Sequence, residues 1–195
     1  MELRRFQTAY GEIWLRGEAH AFDADTPILL ALAREFATDG DALFRLQPHV
    51  PEAGVLIGHI PGNHCPALRE MSVEAIGAAY SEAIETLNRP VVVVAESAGA
   101  LVALAMRSAC VRGQVLLEPP LRTAKLWPII ELLRRSLGSA DRELVNAVFG
   151  CFESRIEDRD HRYLLGDVRI PTQVFWGAIP LGGASPDRAQ PKPRG

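Results

Sequence analysis

One serine sits where it could do chemistry. In PVVVVAESAGALVALAM, residues 90–106, four valines run into Ser97, which has Ala95 and Gly99 two positions to either side. A strand turning sharply into a helix can lift a hydroxyl clear of its surroundings. The amides that open the helix can then stabilise an oxyanion. A tight turn also needs small residues for its own sake, and the pattern alone leaves both explanations open. A hydroxyl is a poor nucleophile without an adjacent base. The candidates are His20, His49, His59, His64 and His161. The sequence order puts His20 in a loop at the far edge of a sheet and His49 after a surface helix. His64 falls in a loop at the serine's face and His161 in a helical insertion.

Other chemistries find less support. His59, His64 and Cys65 lie close together, but no fourth ligand follows at metal-site spacing, so no metal is expected. LGGASPDR lacks both G-x-G-x-x-G and a Lys-Ser/Thr ending, which excludes a nucleotide loop and leaves no cofactor implied. Cys65, Cys110 and Cys151 are odd in number and widely spaced. That argues against a disulfide framework and points to a reducing, cytoplasmic setting.

The elements that must position Ser97 follow from periodicity. LRRFQTAYGEIWLRGEA alternates and turns at Gly11, predicting a β-hairpin. Residues 28–33 read as helix by composition and as buried strand by their apolar run. Residues 41–49 predict a short helix and 54–62 a strand ending in Pro-Gly. Ser72 is an N-cap with Glu74 in the first turn, and Val73, Ile76, Tyr80, Ile84 and Leu87 make one apolar helical face, stopped by Asn88 and Pro90. Val91–Val94 predict a central strand apolar on both faces. A helix is expected over 98–111, strands over 114–120 and 170–177, and helices over 121–165. Leu126, Trp127, Ile129, Ile130, Leu132 and Leu133 give that insertion a broad apolar face, which packs on the core or lines an acyl pocket.

Strands alternating with helices imply a three-layer α/β fold: a mostly parallel sheet, right-handed crossovers and ligands at the carboxyl ends of strands. Ser97, Glu118, the loop 61–64 and Gly177 fall at such ends. The expected division is a core of residues 1–120 and 166–180, a lid over 121–165, and a disordered Pro/Gly-rich tail over 181–195. The chain has 195 residues, 48% hydrophobic and 23% charged, with net charge −3. A chain this long buries roughly 70% of its unfolded surface and needs no metal or disulfide to fold. Lys and Arg are scattered, which leaves no footprint for nucleic acid. The start has no apolar signal region, and no run approaches the ~20 residues that cross a bilayer, so no membrane association is expected.

Ala95-Glu96-Ser97-Ala98-Gly99 resembles the nucleophile elbow G-x-S-x-G of the α/β-hydrolases, with Ala for the first Gly. The resemblance runs over about residues 8–177. PILLALAREFATDGDALF resembles that family's third strand and its His-Gly loop, which favours the strand for residues 28–33. VLIGHIPGNHCPAL resembles the next strand and its D-x-P-G-x-G-x-S loop, with His59 at the acidic position. VLLEPPL and LLGDVRIPTQVFWG resemble the strands either side of the lid. The resemblance implies Ser97 as nucleophile and the Ala98 amide as one oxyanion donor. It places the second donor at Arg34, where Leu32-Ala33 stand for the His-Gly pair, and an alternative acid at Glu118. Glu118 can equally cap a helix or face solvent.

Two departures stand out. The usual carboxylate after Trp-Gly is Pro180, and the chain ends before an eighth strand with its histidine. The expected activity is hydrolysis of a small-molecule acyl ester or thioester. The alternatives are a relative that binds a ligand without turnover, or a product truncated by a frame change after about Gly177. An uncovered sheet edge would also invite a homodimer.

Overall fold

The computed structural model describes residues 1–34, 45–63, 65–126, 139–152 and 155–177. The hairpin strands β1 (Glu2–Gln7) and β2 (Glu12–Gly17) are followed by a short helix α1 (Ala19–Asp23) and strands β3 (Ile28–Leu32) and β4 (Gly54–His59). Helix α2 (Val73–Leu87), strand β5 (Val91–Glu96), helix α3 (Ala98–Ala105) and strand β6 (Val111–Leu117) come next. Helix α4 (Ser139–Phe149) and strand β7 (Thr172–Phe175) complete the series. The seven strands form one sheet in the order β1-β2-β4-β3-β5-β6-β7. The β1–β2 and β2–β4 pairs are antiparallel, and all pairs from β4 to β7 are parallel. This is the mostly parallel sheet with flanking helices that the alternating pattern predicts. No described helix is long and apolar enough to cross a membrane.

Local chemistry sets the ends of α2. The Ser72 side chain accepts from the Ala75 amide at 3.0 Å, an N-cap that stabilises by about 1 kcal/mol. Asn88 closes the helix in the left-handed region at φ 48°, where its short polar side chain is tolerated. Val73, Ile76, Tyr80 and Ile84 are all buried, as their spacing predicts. Helix α3 is buried at every one of its positions, as expected of a helix apolar all round. The two helices cross closely. A Cβ at Gly77 would lie 2.6 Å from that of Ala105, so only glycine fits there.

Most of the core lies between the sheet and α2 and α3, around Leu30, Leu32, Leu56, Val93 and Leu101. A smaller cluster of Leu29, Ala31, Val55 and Ile57 lies on the opposite face. Arg89, at the entry to β5, donates to the carbonyls of Ala21 and Ala24 at the end of α1, and burial pulls its pKa down.

Four expectations need correction. The helix after Ser97 ends at Ala105 rather than 111, because Met106 turns to extended backbone and Val111 already opens β6. Within 45–49 only a 3-10 turn, Gln47–His49, is formed, and residues 41–44 lie outside the described residues. Strand β4 stops at His59. Strand β5 is buried on one face only: Val91 and Val93 are inaccessible, while Val92 is 40% exposed. Phe175 and Trp176, at the β7 edge, are 51% and 59% exposed. Of the segment 121–165, the described part holds 3-10 turns at Thr123–Leu126 and Arg162–Asp167 with α4 between them in sequence. Trp127, Ile129, Ile130, Leu132 and Leu133, with Pro180 and the 181–195 tail, lie outside the described residues.

Candidate active site

Strand β5 delivers Ser97 to the carboxyl edge of the sheet, and α3 begins at the next residue. Its backbone has φ 53° and ψ −121°, a conformation that glycine adopts freely and L-residues avoid. The turn is held on both sides. The Ser97 amide donates to Leu117 O at 2.9 Å, extending the β5–β6 ladder, and Ser97 O accepts from the Ala100 amide at 2.9 Å. The side chain makes no capping bond to the helix it precedes. Ser97 itself is half-buried.

The small neighbours have a steric cause. A Cβ at Gly99 would lie 2.7 Å from Leu32 O and 2.8 Å from Ala33 O, so the first turn of α3 presses on the end of β3. Ala95 is 1% exposed in the core and Ala98 is fully buried. The backbone leaving β3 therefore runs beside the turn. There Arg34 forms an ion pair with Glu96, the residue before the serine. Sequence reasoning placed Arg34 in this loop for its backbone and missed the pairing of its side chain, since no charge pattern links positions 62 apart.

Glu118 lies at the tip of the adjacent strand with φ 50°, a second non-glycine residue of positive φ at the same edge. It is exposed, and its Oε1 accepts from the Gly177 amide at 3.0 Å. Its amide donates to Phe175 O at 2.8 Å, so backbone and side chain of Glu118 together tie the end of β6 to the end of β7.

The histidines are placed unevenly. His20 is exposed in α1, not in a loop as expected, and His49 is exposed in the 3-10 turn. His59 packs edge-on to Trp14, with ring centroids 6.4 Å apart. Its carbonyl accepts from the buried Tyr80 hydroxyl at 2.7 Å. His161 is 4% exposed, its Nε2 2.8 Å from Val148 O. His64 lies outside the described residues. Among the described residues no histidine is bonded to Ser97, and no group of three His, Cys, Asp or Glu could hold a metal. Burial pushes the Cys65 thiol up to about 12, so it is an inert core thiol.

A sharp, small-residue turn presenting a serine between a parallel strand and a buried helix is the geometry on which a family match can be judged. The sequence profile described as "Alpha/beta hydrolase family" matches residues 56–191. The chain belongs to the alpha/beta hydrolase family. Solved structures agree on the fold. The N-acyl homoserine lactonase AidH is similar with a TM-score of 0.58 at 17% identity, over 91% of this chain and 78% of that one. A thermophilic esterase from Thermogutta terrifontis gives 0.56 at 18%, over 90% and 80%. The carboxylesterase CesB from Bacillus subtilis gives 0.57 at 13%, over 89% and 73%. A search of curated proteins finds no match. In this alpha/beta hydrolase, the strand order sets the turn at Ser97 at the carboxyl edge of the sheet.

Proposed function

We propose that this alpha/beta hydrolase is a serine hydrolase acting on a carboxylic ester or thioester, with Ser97 as nucleophile. The supporting observation is the backbone of Ser97: φ 53°, held between the β5–β6 ladder and the buried start of α3. Strain of this kind persists only where the surroundings over-determine it, and it clusters at functional sites. In this reading Ser97 Oγ attacks the acyl carbon and its proton passes to a base. The Ala98 amide and the backbone at Arg34 stabilise the oxyanion. The alcohol or thiol departs with the proton, and water releases the acid and restores the serine. Glu118 takes the part of the acid that orients the base.

One observation favours a second reading, a relative that binds without turnover. The described histidines are engaged or placed elsewhere, and a serine hydroxyl without a base is a weak nucleophile. A fluorophosphonate probe separates the two. The hydrolase reading expects labelling that vanishes in Ser97→Ala, together with release of p-nitrophenol from a short-chain ester. A folded, monodisperse protein that takes no label favours the binding reading.

A further inference from the structure

The sheet has two outer edges, and they are finished differently. At one, β1 carries Glu2, Arg4 and Arg5, charges of the kind that keep an edge strand from pairing with another chain. At the other, β7 reads Thr-Gln-Val-Phe and holds no charge at all. Phe175 and the Trp176 that follows it are both more than half exposed.

Only one side of the β7 backbone is in use. Pro171 O and Phe175 O accept from the amides of Gln114 and Glu118. Backbone groups alternate in direction along a strand, so the odd-numbered residues turn to β6, while Thr172 and Val174 turn their amides and carbonyls outward. Among the described residues no strand pairs with that side. Pro171 is odd-numbered, so its missing N–H takes nothing from the outer edge. Two charges flank the strand. Ahead of it, Arg169 donates only to the carbonyls of Gly166 and Val168. Beside its far end, Glu118 accepts from the Gly177 amide. Neither meets an opposite charge among the described residues.

We propose that β7 pairs antiparallel with β7 of a second copy of this chain, about a two-fold axis through Gln173. Thr172 then exchanges both backbone bonds with Val174 of the partner subunit, and Val174 does the same with the partner's Thr172. One sheet runs through both copies. Antiparallel pairing sets the Arg169 end of each strand beside the Glu118 end of the other, so unlike charges meet at both ends of the seam. A parallel pair would bring like charges together and could not close by a two-fold axis. A single strand pair is a small interface, so the dissociation constant should be on the order of 10 µM. The contact nowhere draws on Ser97, so its presence is independent of hydrolysis.

Sedimentation velocity of the full chain over a concentration series should show monomer converting to dimer. Gln173→Cys tests the axis. Residues facing each other at a non-hydrogen-bonded site have Cα atoms about 4.5 Å apart, within disulfide reach. Cys65 and Cys151 are buried, so in a Cys110→Ser background this variant should oxidise in air to a covalent dimer. Phe175→Cys should not, since its two copies would lie roughly 13 Å apart along the seam. Arg169→Glu should raise the dissociation constant about tenfold, through two lost ion pairs and added repulsion, and Glu118→Arg placed on top should bring it back. A chain that stays monomeric throughout, the outcome if its own residues 178–195 take the edge, would overturn the proposal. So would equal cross-linking of the two cysteine variants, or a dissociation constant that Arg169→Glu leaves unmoved.

Discussion

Replacing Ser97 by glycine should make the protein more stable, although the residue lies at the centre of the candidate site. At φ 53° and ψ −121° a side chain costs roughly 1–3 kcal/mol that glycine does not incur. Glycine brings back about 0.5–1 kcal/mol through the extra freedom of the unfolded chain. Because the serine side chain makes no capping bond to α3, nothing further is lost with it. The balance favours Ser97→Gly by about 1 kcal/mol, or roughly 2–4 °C in midpoint for a chain of this size. Ser97→Ala keeps a Cβ in the same backbone conformation and should stay near the parent. Calorimetric or urea unfolding of the three proteins measures the order, glycine above serine and alanine. If alanine proves the most stable, Ser97 is not held in a strained turn and the elbow geometry is wrong.

Three further outcomes follow from packing and charge. Gly99→Ala should destabilise by about 1–3 kcal/mol, since its new methyl meets only backbone of Leu32 and Ala33; an unchanged urea midpoint would show that α3 stands off from β3. Arg89→Met keeps the aliphatic stem but strips the carbonyls of Ala21 and Ala24 of their donor, a loss of about 1–3 kcal/mol read by denaturant unfolding. The Cys65 thiol, raised from 9.0 to about 12 by burial and then by Glu12, stays protonated in the fold after the unfolded chain has ionised. Its contribution is therefore complete below pH 9 and is lost as pH rises from 9 towards 12. Cys65→Ala should flatten that part of the stability curve, and an equally steep decline in the variant would refute the assignment.

The sharp turn at Ser97 could be read from sequence because its causes are local. The four valines, the serine and the small residues two positions away lie within nine positions, and their sizes carry the steric demand. Ser72 and Asn88 announced α2 for the same reason, each acting on its own backbone. Features that depend on distant partners left no such trace. The helix expected over 98–111 is shorter than its composition suggests, because Met106 turns to extended backbone and only pairing with β5 assigns Val111 to a strand. Four consecutive valines suggested burial on both faces, yet Val92 is 40% exposed. The Arg34–Glu96 pair depends on a chain crossing that no periodicity encodes.

The position of β3 has a consequence for how the molecule is made. This strand, complete by residue 32, hydrogen-bonds only to β4 and β5, both translated after it. While synthesis proceeds to Glu96, the five apolar residues Ile28–Leu32 therefore leave the ribosome with one or both edges vacant. A nascent chain stalled between β4 and β5 presents a ready template for intermolecular pairing. Pauses in that interval, more than the final stability, should set how much protein a cell recovers in usable form.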